Sequence, residues 1–273
     1  MVALERARGK FGLSVKEDNG RTRPVDLVQG GCCRLLFPRL EHAGLEAVLV
    51  NISGGIAAGD HILGELTCGV GTDLMVTSQA AERIYRARKD DPAARIDVTC
   101  HIAADARLEW LPHETIFFDQ SRLVRHMSVN MQATSSFLYL ESRVFGRGGS
   151  DEVLTSLELR DRLSVSRAGA LVFEDMLRLE SADASALLAH PAVAGGQGAV
   201  TTLVLISQDA QALLQPVRNT LVDNNMVGFA ASAWNGMLVV RGVAASAWPL
   251  KMAMQHILPV LRTTRPMPAT WRL

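Results

Sequence analysis

Apolar and polar residues alternate in short segments along much of the chain, which is the pattern of half-buried β-strands. Clear alternation runs through residues 96–102 and 127–131. Short turns separate such segments roughly every 30 residues, a period typical of stacked β units. These turns are residues 69–72, 103–106, 133–135 and 167–169. We therefore predict two-stranded ribbons that stack on one another, because a single ribbon cannot bury its apolar face alone.

The rest of the pattern adds outlying strands and a few helices. Asn19-Gly20, which lies between alternating segments, is a strong hairpin signal. Further strands are predicted at residues 33–37, 47–50, 200–206 and 237–241. Helical spacing of apolar residues predicts helices at 183–190, 208–215 and 250–261. Since no linker interrupts the pattern, we predict one β-rich domain over residues 1–273, a mainly β, stacked β-strand scaffold with a few α-helices.

Composition narrows the class of protein. Of the 273 residues, 48% are hydrophobic and 21% are charged, which allows a substantial buried core. The formal net charge is zero, so no strong field draws the chain to nucleic acid or to anionic lipid. The N-terminal residues lack the apolar core of a signal peptide, and no apolar run is long enough to span a membrane. We therefore predict a cytoplasmic protein that binds neither nucleic acid nor membrane.

The four cysteines do not form a recognisable metal motif. They are Cys32, Cys33, Cys68 and Cys100, and none belongs to a C-x-x-C pair. The adjacent pair Cys32-Cys33 is a poor zinc pattern. Cys68 and Cys100 lie inside apolar runs, so we predict that they are small buried core residues.

The stretch from Asp105 to Asp119, DARLEWLPHETIFFD, contains the densest candidate chemistry. Pro112 has no N–H to donate, so it is expected to break a β ladder or to lie at a sheet edge. The polar residues around it are Glu109, His113, Glu114 and Asp119. One interpretation is a rim that faces a partner protein or a metal ion in transit. The other is a strand end followed by a solvated turn.

A glycine-rich stretch, residues 51–60 (NISGGIAAGD), requires positive φ angles or a close backbone approach. It lacks the Gly-Lys-Ser/Thr of a phosphate loop and the G-x-G-x-x-G of a dinucleotide site, which excludes nucleotide binding there. It is either a structural turn or a docking surface that includes Asp60 and His61. Residues 78–85 are either a short helical turn or an irregular loop that exposes Gln79, Glu82 and Tyr85. Arg147, in the flexible turn 146–150, is expected to be exposed.

These residues also allow two other functions, a hydrolase and a dedicated metal-binding protein. A hydrolase would use Glu109, Glu114 and Asp119 as acid and base, but no nucleophile elbow or phosphate loop accompanies them. A dedicated metal-binding protein would use histidines at irregular spacing, namely His61, His101, His113 and His126. His101 alternates with the apolar residues 98, 100 and 102, so we predict that it faces away from them.

Several of these motifs occur in the order seen in one known family. They are Ser53-Gly54-Gly55, Gly59-Asp60, residues 77–82 with Ile84-Tyr85, residues 108–116, Gly146-Arg147 and residues 268–271. Together they resemble the urease accessory protein family UreD, also called UreH. The family often has Gln where His113 stands and Thr where Ser78 stands. Asp151 or Glu152 approximates the Glu that usually follows the Gly-Arg turn.

The resemblance implies a superhelical β fold and a maturation factor that is not an enzyme. It implies binding to the urease apoprotein and to UreF, and through UreF to the GTPase UreG. It implies no fixed cofactor, but transient nickel(II), for which carboxylates and histidines are weak, exchangeable ligands. The residues expected on a nickel path are Asp60, His61, Glu109, His113, Glu114 and Asp119. Those expected to contact partners are Gln79, Glu82, Tyr85 and Arg147.

Overall fold

The structure, a computed structural model, describes residues 5–39, 43–147, 152–226, 228–262 and 265–271. Within these ranges the chain is mostly β and forms two sheets. Sheet one has the spatial order β2 (Arg21–Gly30), β1 (Arg8–Asp18), β5 (His61–Cys68), β8 (Ala94–Ile102), β11 (Arg122–Met131), β13 (Leu157–Arg167) and β14 (Ala170–Ser181). The mainly β fold class is confirmed.

Sheet two contains the remaining strands. Its order is β3 (Cys33–Leu36), β4 (Leu45–Asn51), β6 (Asp73–Ser78), β9 (Arg107–Trp110), β12 (Ser136–Phe145), β15 (Ala199–Ile206), β17 (Met237–Ala244) and β16 (Phe229–Trp234). Two short strands, β7 (Glu82–Ile84) and β10 (Thr115–Phe117), join it at one end, where β10 pairs with β12 and β7 pairs with β10.

The chain winds as a coil between the two sheets. The turns after β5, β8 and β11 each lead from sheet one into β6, β9 and β12 of sheet two. Every strand of the coil then pairs in parallel with its equivalent in the next turn, for example His61 with Arg95 and Ala94 with Leu123. The predicted stacking is therefore confirmed, but the predicted ribbons are wrong for these three turns. Alternation with period two is the same for a hairpin and for a turn between facing sheets, so it does not distinguish them.

Two of the turns are hairpins within sheet one. Asn19 (φ 52°) and Gly20 (φ 75°) join β1 to β2, as predicted for an Asn-Gly turn with both central residues at positive φ. Ala168 (φ 50°) and Gly169 (φ 83°) join β13 to β14 in the same way. These hairpins close the two ends of sheet one with antiparallel pairs.

The helices are α1 (Ala184–Ala189), α2 (Leu214–Asp223) and α3 (Ala247–Leu261), with 3₁₀ turns at Ala210–Leu213 and Ala269–Trp271. Helices α2 and α3 cover the outer face of sheet two, whereas α1 packs beside β14 and adds to the core between the sheets. The helices predicted at 183–190 and 250–261 are confirmed. The one predicted at 208–215 is instead a 3₁₀ turn that leads into α2. Of the helices that the structure describes, none combines the length and apolar character needed to cross a bilayer.

Burial differs between the sheets because only sheet two is covered on both faces. In β11 buried and partly exposed residues alternate, whereas β12 is buried along almost its whole length. One core fills the space between the sheets, with Phe11, Leu66, Leu108, Phe137 and Leu159 among its residues. A second core lies between sheet two and helices α2 and α3. All four cysteines are buried and free, which confirms the prediction for Cys68 and Cys100.

Candidate functional site

Three neighbouring strands of sheet two are interrupted at the same level. β6 stops at Ser78 and the chain returns to the sheet at Glu82, while β9 stops at Trp110 and β10 begins at Thr115. Strands β9 and β10 both pair with β12, so they are two parts of one broken strand. β4 also ends at this level, and its continuation makes a single bridge from Ile56. We call the gap formed by residues 52–55, 79–81 and 111–114 the window.

Proline and glycine account for the window. Pro112 lies in the break between β9 and β10, which confirms the prediction that it interrupts a ladder. Gly54 and Gly55 turn the chain away from the sheet with φ angles of 77° and 152°. A Cβ on Gly55 would lie 2.4 Å from a ring carbon of Tyr85, so a larger residue does not fit there. The structural interpretation of this glycine turn is therefore the better supported one.

Behind the window lies a cavity of about 240 Å³ between the sheets. Its apolar wall comes from sheet one and includes Phe11, Ile62, Ile96, Val98 and Met127. The window contributes Gly54, Gln79, Ala80, Ala81, Pro112 and His113 to its rim. The polar groups inside it include Asn51, Glu82, Arg125, Glu141 and Asp161. An apolar chamber with a few charged groups is the arrangement expected of a small-ligand site.

Four buried charges, which we call the inner charge cluster, lie together at the cavity: Arg125, Glu141, Arg143 and Asp161. All of them except Arg143 line the cavity. Asp161 accepts hydrogen bonds from Arg125 Nε (2.9 Å) and Nη2 (2.5 Å) and from Arg143 Nε (2.6 Å). Burial would raise the pKa of Asp161, but the two guanidinium groups outweigh it and hold that pKa well below its usual range. Asp161 is therefore an ionised counterion of Arg125 and Arg143, with both oxygens already bonded.

Glu141 is less fully bonded than Asp161. Its Oε2 lies 2.8 Å from Arg125 Nη2 without an aligned hydrogen bond, and its Oε1 accepts only a long bond of 3.4 Å from Trp110 Nε1. Burial raises the pKa of Glu141 even though two arginines oppose the shift. A carboxylate in this state gains from any additional cation that reaches it.

Glu82 lies where the chain re-enters sheet two beside the window. One carboxylate oxygen accepts from Asn51 Nδ2 at 3.1 Å and the other from the Arg83 backbone N–H at 3.0 Å. Burial raises the pKa of Glu82. The prediction of an irregular loop is confirmed for residues 79–81, and Gln79 is exposed there. Glu82 is partly exposed, and its side chain lines the cavity.

His113 is the member of the predicted nickel path that reaches the rim. Its ring stacks on Trp271 with centroids 5.3 Å apart, and its Nε2 donates to the Thr270 carbonyl at 3.1 Å. Burial lowers its pKa, which favours the neutral imidazole. The adjacent Glu114 is partly buried, and its backbone carbonyl accepts from the Glu82 N–H at 2.9 Å. These two residues hold one edge of the window in place.

Asp60 and His61 lie away from the window. Asp60 accepts from the backbone N–H groups of Ala7 and Ala57, each at 2.8 Å, so it fixes a turn. His61 is on β5, where its Nε2 lies 2.9 Å from an oxygen of Asp97. Neither residue lines the cavity. The docking-surface interpretation of the glycine stretch therefore has no support from these two side chains.

Glu109 and Asp119 also have other partners. Glu109 is 1% exposed and bonds Arg262 Nε at 2.8 Å on the outer face of sheet two, so it is not part of a rim. Asp119 accepts from the Thr155 N–H at 2.6 Å and from its hydroxyl at 2.7 Å. Throughout the described ranges, no three His, Cys, Asp or Glu side chains are placed to share one metal ion. The paired carboxylates of the hydrolase alternative do not come together.

The histidines of the metal-protein alternative are equally dispersed. His101 is exposed while Cys100 and Ile102 are buried, which confirms the predicted orientation of its side chain. His126 lies on β11, where its Nε2 is 3.4 Å from the Ser164 hydroxyl. The four histidines predicted for such a site therefore do not form one.

Tyr85 and Arg147, both predicted partner contacts, lie on one surface groove beside the window. The Tyr85 hydroxyl donates to the Gly54 carbonyl at 2.6 Å, and its ring meets Phe118 edge to face at 5.3 Å. The Arg147 guanidinium lies 4.9 Å from the centre of the same Phe118 ring and bonds Glu152 at 3.1 Å. This aromatic groove is lined by residues 83, 85, 116, 118, 144–147, 198 and 245–248.

Comparison with known proteins identifies the family. Residues 7–272 match the family described as UreD urease accessory protein. Three proteins named urease accessory protein UreD are similar over nearly the whole chain. Those of Xanthobacter autotrophicus, a Methylobacterium species and Rhizobium johnstonii are 40%, 39% and 38% identical over 98% of this chain and over 90%, 95% and 96% of their own lengths. The chain therefore belongs to the UreD family of urease accessory proteins, and it is an accessory protein rather than an enzyme.

Proposed function

We propose that this protein binds the urease structural subunits and UreF in the cytoplasm, contacts UreG through UreF, and passes nickel(II) through the window and the cavity toward urease. The observation that carries the proposal is a cavity between two sheets that contains Glu141, one of whose oxygens has no aligned hydrogen bond. Nickel is treated as cargo, held only in transit.

The chemistry of the cavity suits a hard-to-borderline cation in transit. A neutral imidazole at His113 and carboxylates at Glu82 and Glu141 offer nitrogen and oxygen ligands, which exchange faster than a thiolate cage. Burial raises the pKa of both glutamates, so each ionises less readily than in water, and a cation in the cavity favours the ionised carboxylate.

The proposed path differs from the six residues predicted for it. It keeps His113, with Glu114 as its neighbour at the window edge, and adds Glu82 and Glu141. The other four predicted residues bond backbone amides, Asp97, Arg262 or Thr155 outside the cavity. For these four we propose roles in holding the fold.

The aromatic groove is the proposed docking surface for a protein partner. Trp248 is 59% exposed on it, and large exposed aromatic groups beside an arginine are typical of interface centres. Arg83 lines both the groove and the cavity, so a partner seated on the groove lies next to the window. This position supports a receiving or delivering role for such a partner.

The experiment is co-purification of the protein with urease subunits and UreF, followed by urease activity after nickel addition. For Glu82→Gln we expect the complex to form normally and activation to fall several-fold. The matched control is Glu65→Gln, which changes an exposed glutamate on β5, outside the cavity. Trp248→Ala should instead weaken co-purification.

Two outcomes would count against the proposal. Unchanged activation in both Glu82→Gln and Glu141→Gln, with normal complex formation, removes the cavity as a nickel path. Unchanged co-purification in Trp248→Ala and in Tyr85→Ala removes the groove as the docking surface. The two halves of the proposal are thus tested separately.

A further inference from the structure

The thiols of the adjacent residues Cys32 and Cys33 both pack against Gly9. A Cβ on Gly9 would lie 2.6 Å from Cys33 Sγ and 2.8 Å from Cys32 Sγ, so both sulfur atoms lie close to a single point. Gly31, at φ 55°, makes the turn that precedes the pair. The backbone thus brings two neighbouring sulfur atoms to the same side of the chain.

Cys33 borders the cavity and Cys32 follows the same turn beside it, and little of either side chain is open to bulk solvent. Cys33 is 1% exposed, yet it is part of the cavity wall, together with Asn51 and Glu82. The other two cysteines, Cys68 and Cys100, are buried in β5 and β8 and do not line it. A small ion in the cavity therefore meets Cys33, whose sulfur atom lies close to that of Cys32.

We propose that the Cys32–Cys33 dithiol is a binding site for a thiophilic divalent metal ion. Binding breaks two S–H bonds, forms two metal–sulfur bonds and releases two protons, with no change in oxidation state. A structural zinc site has four protein ligands and no open position. Two thiolates supply only two ligands, so the other coordination positions of the ion are filled by water or by groups of the cavity. The site is therefore suited to an exchangeable ion.

The ion has two candidate sources that share this chemistry. Nickel(II) is the cargo in the function proposed above, and softer ions such as zinc(II) or cadmium(II) prefer sulfur more strongly than oxygen. In the first case the dithiol is a thiolate binding site for nickel beside the proposed path. In the second it captures ions that compete with nickel. The site itself rests on the two thiols, and the proposed passage supplies only the route of entry.

The first test titrates the full-length protein, without urease or UreF, with nickel(II) or cadmium(II) alone under reducing conditions. We expect a thiolate-to-metal charge-transfer absorption that saturates at one ion per chain, and zinc(II) should displace the cadmium band. Cys33→Ser and Cys32→Ser should weaken binding by at least the order of 10- to 100-fold that loss of a supporting group causes. Cys68→Ala is the matched control and should bind like the unchanged protein.

The second test does not depend on variants that fold. Phenylarsine oxide condenses with two thiols to form two As–S bonds and releases one water. The native protein should take up one arsenic and lose two titratable thiols, and prior cadmium(II) should prevent this. Trypsin should release the adduct on residues 22–34, which contain Cys32 and Cys33 but neither of the other cysteines, since the Arg23–Pro24 bond resists cleavage.

The outcomes separate this site from the proposed passage. Absence of the absorption band together with absence of arsenic uptake by the native protein overturns the dithiol site and leaves the activation assay unaffected. An adduct outside residues 22–34 also overturns it. Saturable binding that requires both Cys32 and Cys33 supports the site, whether or not activation by nickel depends on the cavity carboxylates.

Discussion

Two groups of buried charges lie on opposite faces of sheet two, and only one of them faces open space. On the outer face, Arg262 bonds Glu109 at 2.8 Å and the Pro266 carbonyl at 2.8 Å, and Arg265 bonds both Glu109 and Asp73. On the inner face, Glu141 belongs to the inner charge cluster but has an oxygen without an aligned hydrogen bond, beside the cavity. Both glutamates are almost completely buried.

The difference shows that burial of a carboxylate does not by itself indicate a function. Glu109 is enclosed between sheet two and the C-terminal segment, where two arginines use both of its oxygens. Glu141 has the same chemistry, but one side of it opens on a chamber. The first arrangement stabilises the fold, and the second retains capacity for another cation. The following predictions are ordered from the largest expected effect to the smallest.

Replacing Glu109 by Ala should cause the largest loss of stability. The change leaves Arg262, which is 2% exposed, buried without its main counterion. Loss of one partner of a buried ion pair typically costs about 3–5 kcal/mol. Urea unfolding should show this loss, while nickel-dependent activation per folded molecule stays normal. A loss below about 1 kcal/mol would mean that the ion pairs of Glu109 with Arg262 and Arg265 do not stabilise the fold.

Replacing Glu141 by Gln should do the reverse. Asp161 keeps its hydrogen bonds to Arg125 and Arg143, and glutamine retains the size of the Glu141 side chain, so the loss of stability should be smaller than in the Glu109→Ala variant. Activation should fall by about tenfold, in the range typical of losing one contributing group at a metal site. Stability loss as large as that of the Glu109 variant, with normal activation, would remove the contrast between the two faces.

Glu82→Gln should change the pH dependence of stability. Because the folded-state pKa of Glu82 is raised, its contribution is fully present below the unfolded pKa and is lost as pH rises through the folded pKa. The free energy of unfolding of the Gln variant should therefore gain on that of the unchanged protein as pH rises above about 4.3. The relative slope is at most about 1.4 kcal/mol per pH unit for one proton. Urea unfolding at a series of pH values measures it, and parallel profiles would show that burial does not shift this group.

Asp119→Ala should have the smallest effect and no effect on activation. Asp119 holds the loop at Thr155 and Ser156 from a largely solvated position. Loss of these bonds should cost about 1 kcal/mol. Burial would raise the pKa of Asp119, but the bonds from Thr155 outweigh it and lower that pKa, so the cost should disappear as pH falls below its folded value. Reduced activation at unchanged stability would instead return Asp119 to the nickel path.

The coil could be predicted only in part from the sequence. The Asn19-Gly20 hairpin and the break at Pro112 follow from local backbone chemistry, so both predictions held. The pairing of strands about 30 residues apart is set by burial between distant segments, which alternation alone does not reveal. The turn at residues 69–72 therefore has the sequence pattern of a hairpin although it joins two facing sheets.

The sequence does contain a signal for the inner charge cluster, in the form of charged residues on apolar strand faces. Arg125 shares a strand face with Leu123 and Met127, and Asp161 shares one with Leu159 and Leu163, so each is a charge on an otherwise apolar face. In the sheet the two are direct neighbours in register. A lone Arg and a lone Asp on the buried faces of adjacent strands predict a buried ion pair, because neither is tolerated there unpaired. Glu109 has the stronger local signal, because it lies close to Pro112 in the sequence.

The origin of the inner charge cluster on three successive coil strands also constrains how the chain reaches its native state. Arg125, Arg143 and Asp161 come from β11, β12 and β13, so the last counterion is synthesised well after the first guanidinium. Long-range parallel pairing is intrinsically slow to form, since loop closure precedes the gain from contacts. Until β13 docks, the partly wound coil holds two arginines that resist dehydration. The final winding step is therefore the one that seals the interior, and slow-exchanging amides should appear in β11 and β12 only after β13 has joined them.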